Sequence, residues 1–401
     1  MTLEPGHPRP AELDLAAIRA DTPAAASLTH LNNAGAALPP AQVVDAVVGH
    51  LRREEAEGGY EAAEAAAGLL DAGYAGVAEL LHCDAAEIAL VESATVGWNM
   101  AFRAIPFRPG DRILTGKNEY ASNYLAFLGA ARRSGVTVEI VPDDEHGQLD
   151  VDTLAGMLDD RVRLVAVTHV PTNGGLVNPA EAIGKLTRAS GVLYLLDACQ
   201  SVGQLPVDVQ AIGCDLLSFT GRKYLRAPRG TGGLYVRQDR LEQLDPPFLD
   251  LFGGTWTGPT SYQVRPAARR FECWERNIAA TLGFGVAVEY ALRLGVHNTW
   301  PRIQQLADLL RTRLDAVPGV RVRDKGLRRC GIVSFDVAGY QPAEVRAALA
   351  AQRINVSVSE APATLLDMAE RNLAAVVRSS VHYYNTVEEI DRCAAAVADL
   401  R

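Results

Sequence analysis

The chain has 401 residues, 48% of them hydrophobic and 22% charged, with a formal net charge of -9. That length exceeds the roughly 250 to 300 residues at which a single core stops growing, which predicts one large and one smaller domain, globular and soluble by composition. The acidic balance excludes general nucleic-acid affinity, and six scattered cysteines without a Cys-x-x-Cys spacing exclude a metal cage or disulfide framework.

No apolar run reaches the roughly 18 to 20 residues of a membrane span, and the start Met-Thr-Leu-Glu-Pro-Gly-His lacks the layout of a secretion signal, so a cytoplasmic location is expected. Residues 1–25 are expected to pack as an N-terminal segment on the small domain. The Ala-rich stretch from Tyr60 to Ala78 reads as a surface helix, broken or closely packed at Gly68, Gly73 and Gly76. From Asp84 to Val236 short β-branched runs alternate with amphipathic segments: Glu87–Val91, Arg112–Leu114, Thr137–Val141, Leu164–Val167 and Leu193–Leu196. Such alternation predicts an α/β domain with a mainly parallel sheet between helices, placed over residues 26–276. A helical stretch then runs from Asn277 to Leu294, followed by strands near Val320–Val322, Ile332–Phe335, Val356–Val358 and Val377–Val381 and helices near Pro342–Gln352 and Val387–Leu400. These predict a smaller α+β domain over 277–401.

Two apolar segments carry the chemistry. Leu193-Tyr-Leu-Leu-Asp197-Ala-Cys-Gln200 is a strand ending in Asp, and Leu216-Leu-Ser-Phe-Thr220-Gly-Arg222-Lys223 is a second apolar segment ending in a lysine loop. A lysine amine condenses with an aldehyde, and a buried carboxylate keeps a pyridine nitrogen protonated, so the pair points to pyridoxal 5'-phosphate (PLP) held as an imine on Lys223 with Asp197 opposite. Upstream, the strand Ile88–Val91 runs through Glu92-Ser-Ala-Thr95-Val-Gly97 into a helix, whose free N–H groups suit a phosphate dianion. No Gly-x-Gly-x-x-Gly follows the first clear strand, which argues against a nucleotide-binding Rossmann domain.

These segments, with Arg229-Gly-Thr-Gly-Gly-Leu-Tyr-Val236, resemble the class V aminotransferase and cysteine desulfurase family of fold-type I PLP enzymes, from about His30 to Leu400. The resemblance implies a large domain with a seven-stranded, mainly parallel sheet. It makes Ala94, Thr95 and Val96 the phosphate cup. In Glu119-Tyr120-Ala-Ser-Asn123, Tyr120 replaces the family's histidine over the pyridine ring. In Thr168-His169-Val-Pro-Thr172-Asn173, Thr172 takes the place of the asparagine that meets the cofactor's phenolic oxygen, with Asn173 as the adjacent alternative. Gln200 approaches the same oxygen or the imine, Arg222 and Thr220 suit the phosphate, and Arg378 of Val377-Arg378-Ser-Ser clamps the substrate α-carboxylate. His30-Leu-Asn32-Asn33 is a loop expected to close over the substrate. Relatives are usually homodimers with a crossing segment, here Gly253-Gly254-Thr255-Trp256; Ile278 replaces the desulfurases' phosphate-binding threonine, so Thr255 or Trp256 is expected to serve.

Persulfide-type desulfurases carry a mobile cysteine between the Val356 strand and Arg378, and this chain has none there. On that ground a persulfide-type cysteine desulfurase is not expected. The runs Glu54–Tyr60 and Arg222–Gly230 look like the branch with ergothioneine-pathway carbon-sulfur lyases and isopenicillin N epimerase-like enzymes. The expected activity is a β-lyase on an S-substituted cysteine or its sulfoxide, with epimerase, aminotransferase, or an inactive PLP-fold binding protein as alternatives. Tyr60, Arg226, Arg229, Trp256 and Glu360 are the expected specificity residues.

Overall fold

The computed structural model describes residues 13–400, so the expectation for residues 1–25 lies partly outside the described residues. The chain enters at α1 (Leu15–Ala20), whose first turn is capped by the Asp14 carboxylate. Arg19 on this helix donates to Glu389 at 2.8 Å and to the Tyr384 carbonyl. The two-residue strand β1 (Thr29–His30) then pairs in parallel with Ile354 and Asn355. The entering segment is thus stitched to the C-terminal part of the chain, and the stitching continues to the bridge between Asn32 and Ser380.

Three helices follow: α2 (Ala41–Glu57), α3 (Gly59–Ala65) and α4 (Ala67–Leu81). The break in the Ala-rich stretch falls at Ala66, not at a glycine. Gly76 is the closely packed one, since a Cβ there would come within 3.2 Å of Val288 Cγ1, whereas at Gly73 a Cβ would meet the Cα of Gly285 in ordinary contact at 3.7 Å. Gly68 faces open space.

The large sheet is built from β2 (Ile88–Val91), α5 (Ala94–Arg103), β3 (Arg112–Gly116), α6 (Ala121–Ser134), β4 (Thr137–Val141), α7 (Val151–Met157), β5 (Val162–Thr168), α8 (Ala180–Ser190), β6 (Leu193–Asp197), α9 (Val209–Ile212), β7 (Leu216–Thr220) and β8 (Gly232–Val236). Its strand order is β2-β8-β7-β6-β5-β3-β4. β8 runs antiparallel to both neighbours, and the other pairings are parallel. Side chains of one strand alternate between two cores: Val165, Val167, Leu196 and Leu217 pack on one face, Leu164, Ala166, Leu195 and Leu216 on the other. Burial on both faces explains why these strands read as continuous apolar runs. The register sets Thr168 beside Asp197, and Asp197 beside Ser218, at the carboxyl end of the sheet, where open α/β sheets place their sites.

A hairpin of β9 (Gly254–Gly258) and β10 (Ser261–Val264) leads to α10 (Ile278–Leu294) and α11 (Val296–Asp315). α10 lies along α4 and α2, and the chain bends by 81° between α10 and α11. The turn is made at Gly295, with φ at +74°. The expected boundary at 276/277 therefore falls before a helix that packs on large-domain helices. Beyond it come β11 (Val320–Val322), β12 (Ile332–Val337), α12 (Pro342–Ala351), β13 (Ile354–Asn355), β14 (Ser357–Glu360), α13 (Leu365–Glu370), β15 (Ala375–Ser380) and α14 (Val387–Ala398). Four of these strands form an antiparallel sheet in the order β11-β12-β15-β14. Among the described residues no single helix is long and apolar enough to cross a membrane.

Candidate active site

A cavity opens at the carboxyl ends of β5, β6 and β7, beside the N-terminus of α5. Asp197, the last residue of β6, and Lys223, three residues past β7, both line it. The turn that delivers the lysine needs glycine at 221, since a Cβ there would come within 2.4 Å of Thr231 Oγ1 and 2.8 Å of Ala227. The Thr-Gly-Arg-Lys motif is thus a steric solution for turning sharply out of a packed strand.

Asp197 is 6% exposed. Its Oδ2 accepts from Asn123 Nδ2 at 2.8 Å and its Oδ1 from the Cys199 N–H at 2.9 Å. Burial pushes its carboxyl above the ordinary range, opposed by those two donors and by the Lys223 charge. A positive ring nitrogen would remove that burial penalty. Glu119 lies behind, fully enclosed. It accepts from Asn123, from the Thr168 N–H and from the Thr168 hydroxyl, the last at 2.5 Å. Burial first, then repulsion from Asp197, raises Glu119 to about 7. Asn123 bridges the two carboxylates and fixes their separation.

Lys223 is 8% exposed, with Nζ 3.6 Å from Cys199 Sγ. Burial lowers its pKa, and Arg222 and Arg378 add to the effect, while Cys199 and Asp197 oppose it. The shift enlarges the neutral fraction of the amine, the form that condenses with an aldehyde.

At the opposite end, Ser93 caps α5 by accepting from the Val96 N–H at 3.2 Å, and Ala94 and Thr95 face the cavity. Gly232 lets β8 approach this helix start, where a Cβ would come within 3.1 Å of the Ala94 nitrogen. A helix start with room beside it suits a phosphate. Tyr120, Thr172, Thr220 and Arg222 complete the walls. Gln200 donates Nε2 to the Ala34 carbonyl at 3.1 Å, while its buried Oε1 has no partner among the described residues. An orphaned acceptor beside Lys223, a buried carboxylate and a helix start together fit PLP: Lys223 would hold its aldehyde carbon, Asp197 its ring nitrogen, and the α5 start its phosphate.

Arg378 stands on β15, 7% exposed; it does not itself line the cavity but donates to Thr172, which does. Burial lowers it to about 10, which leaves it charged at neutral pH.

Several expected site residues are placed elsewhere. The Val96 N–H is occupied by the Ser93 cap, and the residue does not line the cavity. Arg226 is not a substrate contact. It is 1% exposed and donates to the Leu38 carbonyl, the Tyr383 hydroxyl and Thr22 Oγ1, with its guanidinium 4.7 Å from the Tyr384 ring centroid. It clamps the entering chain to the C-terminal domain. Asn33 is likewise a strut, giving both amide protons to the His30 and Ser380 carbonyls and accepting from Tyr384. Asn173 is turned to Thr364. Thr255 and Trp256 lie on the β9–β10 hairpin, Trp256 77% exposed, and Tyr60 on α3 is 78% exposed; with the exposed Arg229 they stay outside this chain's cavity. Asn123, Glu119, Thr168 and Cys199 belong to the site although their side chains carried no assigned role. Their signal was position: Thr168 ends a strand beside Asp197, and Cys199 follows that carboxylate by two residues.

The model of the aminotransferase class-V family matches residues 29–393. A probable cysteine desulfurase of Methanothermobacter thermautotrophicus is 30% identical, over 93% of this chain and 94% of its own length. A cysteine desulfurase of Shigella sonnei is also 30% identical, over 91% of each chain. Among solved structures, the apo structure of cysteine desulfurase from Thermococcus onnurineus NA1 superposes with a TM-score of 0.91 at 25% identity, covering 98% of this chain and 99% of that one. These relatives overturn the exclusion of a persulfide-type desulfurase and the β-lyase reading built on it. The exclusion rested on one absent cysteine, against 30% identity over 93% of this chain to a protein named a probable cysteine desulfurase. The lysine and the buried carboxylate expected to hold the cofactor line one cavity here.

Proposed function

This chain belongs to the aminotransferase class-V family, and from that premise we propose that it is a PLP-dependent lyase that removes sulfur from L-cysteine, as a cysteine desulfurase does. The observation that carries the reading is that buried Lys223 and Asp197 line one cavity, whose wall residue Thr172 holds the Arg378 guanidinium. When bound, PLP supplies an electron sink for the bond-breaking at Cα and Cβ. Asp197 keeps that sink protonated. Arg378 binds the substrate carboxylate and so orients the Cα bonds. The Lys223 amine, neutral more readily than an ordinary lysine, takes and returns the Cα proton.

The balance is L-cysteine plus a thiol giving L-alanine plus that thiol's persulfide: the Cβ–S bond breaks, an S–S bond forms, and Cβ gains a proton. With no cysteine between Asn355 and Arg378, the acceptor in the assay is a dithiol in solution. Purified protein with PLP, L-cysteine and excess dithiothreitol is expected to release alanine and sulfide in equal amounts. Pyruvate and ammonia in place of alanine would overturn the assignment.

We further propose a homodimer joined through the face bearing Phe248, Leu251, Trp256, Tyr262 and Trp274, all exposed large apolar residues on or beside the hairpin. A patch of that kind marks an interaction surface. Thr255 and Trp256, remote from their own cavity, would then reach the partner's. Sedimentation equilibrium is expected to give twice the chain mass of 42.9 kDa; a monomer at micromolar concentration would refute it.

A further inference from the structure

Thr172 replaces an asparagine of the family pattern, and the fold turns its hydroxyl toward an unexpected partner. Arg378 Nη1 donates both to Thr172 Oγ1 and to the carbonyl of the same residue, each at 2.8 Å. Thr172 lies in the segment after β5 and lines the cavity, whereas Arg378 comes from β15 of the C-terminal sheet. The pair therefore spans the two parts of the molecule at the edge of the site.

Two bonds to one terminal nitrogen fix the plane of the guanidinium and occupy one of its ends. The Nε–Nη2 edge remains. Nε is buried without a partner, and Nη2 makes no hydrogen bond among the described residues. A buried N–H without an acceptor is costly until a ligand supplies one. Two N–H groups side by side on a guanidinium edge match the two oxygens of a carboxylate.

We infer that Thr172 is a positioning residue that presents the Nε–Nη2 edge of Arg378 to the substrate α-carboxylate, and thereby sets how strongly the site prefers amino acids over simple amines. This rests on reading the cavity as an amino-acid site. The hydroxyl is the atom that matters, because the carbonyl of residue 172 stays whatever the side chain. Valine keeps the branched shape and removes the bond. Serine keeps the bond and removes a methyl group.

The test uses the PLP-loaded protein and two probes without sulfur: glycine, which carries the carboxylate, and methylamine, which does not. Their affinities are read from the change each causes in the visible absorption of the lysine-held cofactor. Wild type is expected to favour glycine strongly. Thr172→Val should lower the glycine-to-methylamine preference about tenfold, the effect of one lost bond to a charged group, while Thr172→Ser keeps it within about twofold. An unchanged preference in Thr172→Val, or an equal loss in Thr172→Ser, would overturn the role. Neither probe requires carbon-sulfur cleavage, so a failure of the cysteine assay leaves this measurement intact, and the reverse also holds.

Discussion

Lys223→Ala is expected to lower turnover of L-cysteine by at least about 10^4-fold, since it removes both the covalent anchor and the acid-base group at Cα. The variant should still fold, because it loses one poorly bonded side chain: the amine makes a single long contact, to Cys199 Sγ at 3.6 Å. Cofactor retention should weaken without vanishing, as the α5 start and Asp197 remain. The diagnostic reading is chemical. Borohydride treatment fixes the cofactor to wild-type protein and leaves the variant unlabelled, as shown by the mass of the intact chain. Turnover within tenfold of wild type, or a stable label on the variant, would remove the basis of the proposed chemistry.

The second large effect is expected at Asp197. Asp197→Asn keeps the shape but removes the charge that holds the ring nitrogen protonated, so kcat should fall on the order of 10^2- to 10^4-fold while the cofactor stays linked to Lys223. Both carboxylate oxygens accept hydrogen bonds, from Asn123 and from the Cys199 N–H. An amide offers one acceptor, so one donor is stranded, at a cost of about 1 to 3 kcal/mol. A modest fall in the melting temperature is therefore expected alongside the loss of activity. The two effects separate: Asp197→Glu restores the charge at a displaced position, and should recover part of kcat only if charge is what matters. Asp197→Asn with wild-type kcat would show that ring protonation comes from elsewhere.

The large sheet was legible because burial on both faces leaves runs such as Leu193–Leu196 without polar interruption, and a parallel sheet is what such runs between amphipathic segments build. Lys223 and Asp197, singled out through short motifs, line one cavity, and Arg378 is bonded to its wall at Thr172. Arg226 was not. In sequence it sits between Arg222 and Arg229 and reads as a specificity residue; in space it adopts a left-handed φ of +62° and points into the junction between the chain entry and the C-terminal domain. Asn33 failed for the same reason, its donors being taken by carbonyls 3 and 347 positions away. Motif reading assigns a polar residue to a ligand when its protein partner is distant along the chain and therefore invisible.

The amino-acid sequence by itself determined the α/β architecture and the cofactor, and singled out a lysine and a carboxylate that the fold brings to one cavity, because hydrophobic periodicity and the lysine-carboxylate requirement are local properties of short segments. It misjudged the reaction by giving weight to one absent cysteine. Only the tertiary structure decided which polar residues face the cavity and which brace the fold: the Asn123 bridge between two buried carboxylates, the Arg226 clamp and the Thr172–Arg378 contact each join segments more than 70 residues apart or different sheets. A hydrogen bond is short-ranged and directional, so its partner is set by where packing brings the backbone, and packing is a property of the whole chain.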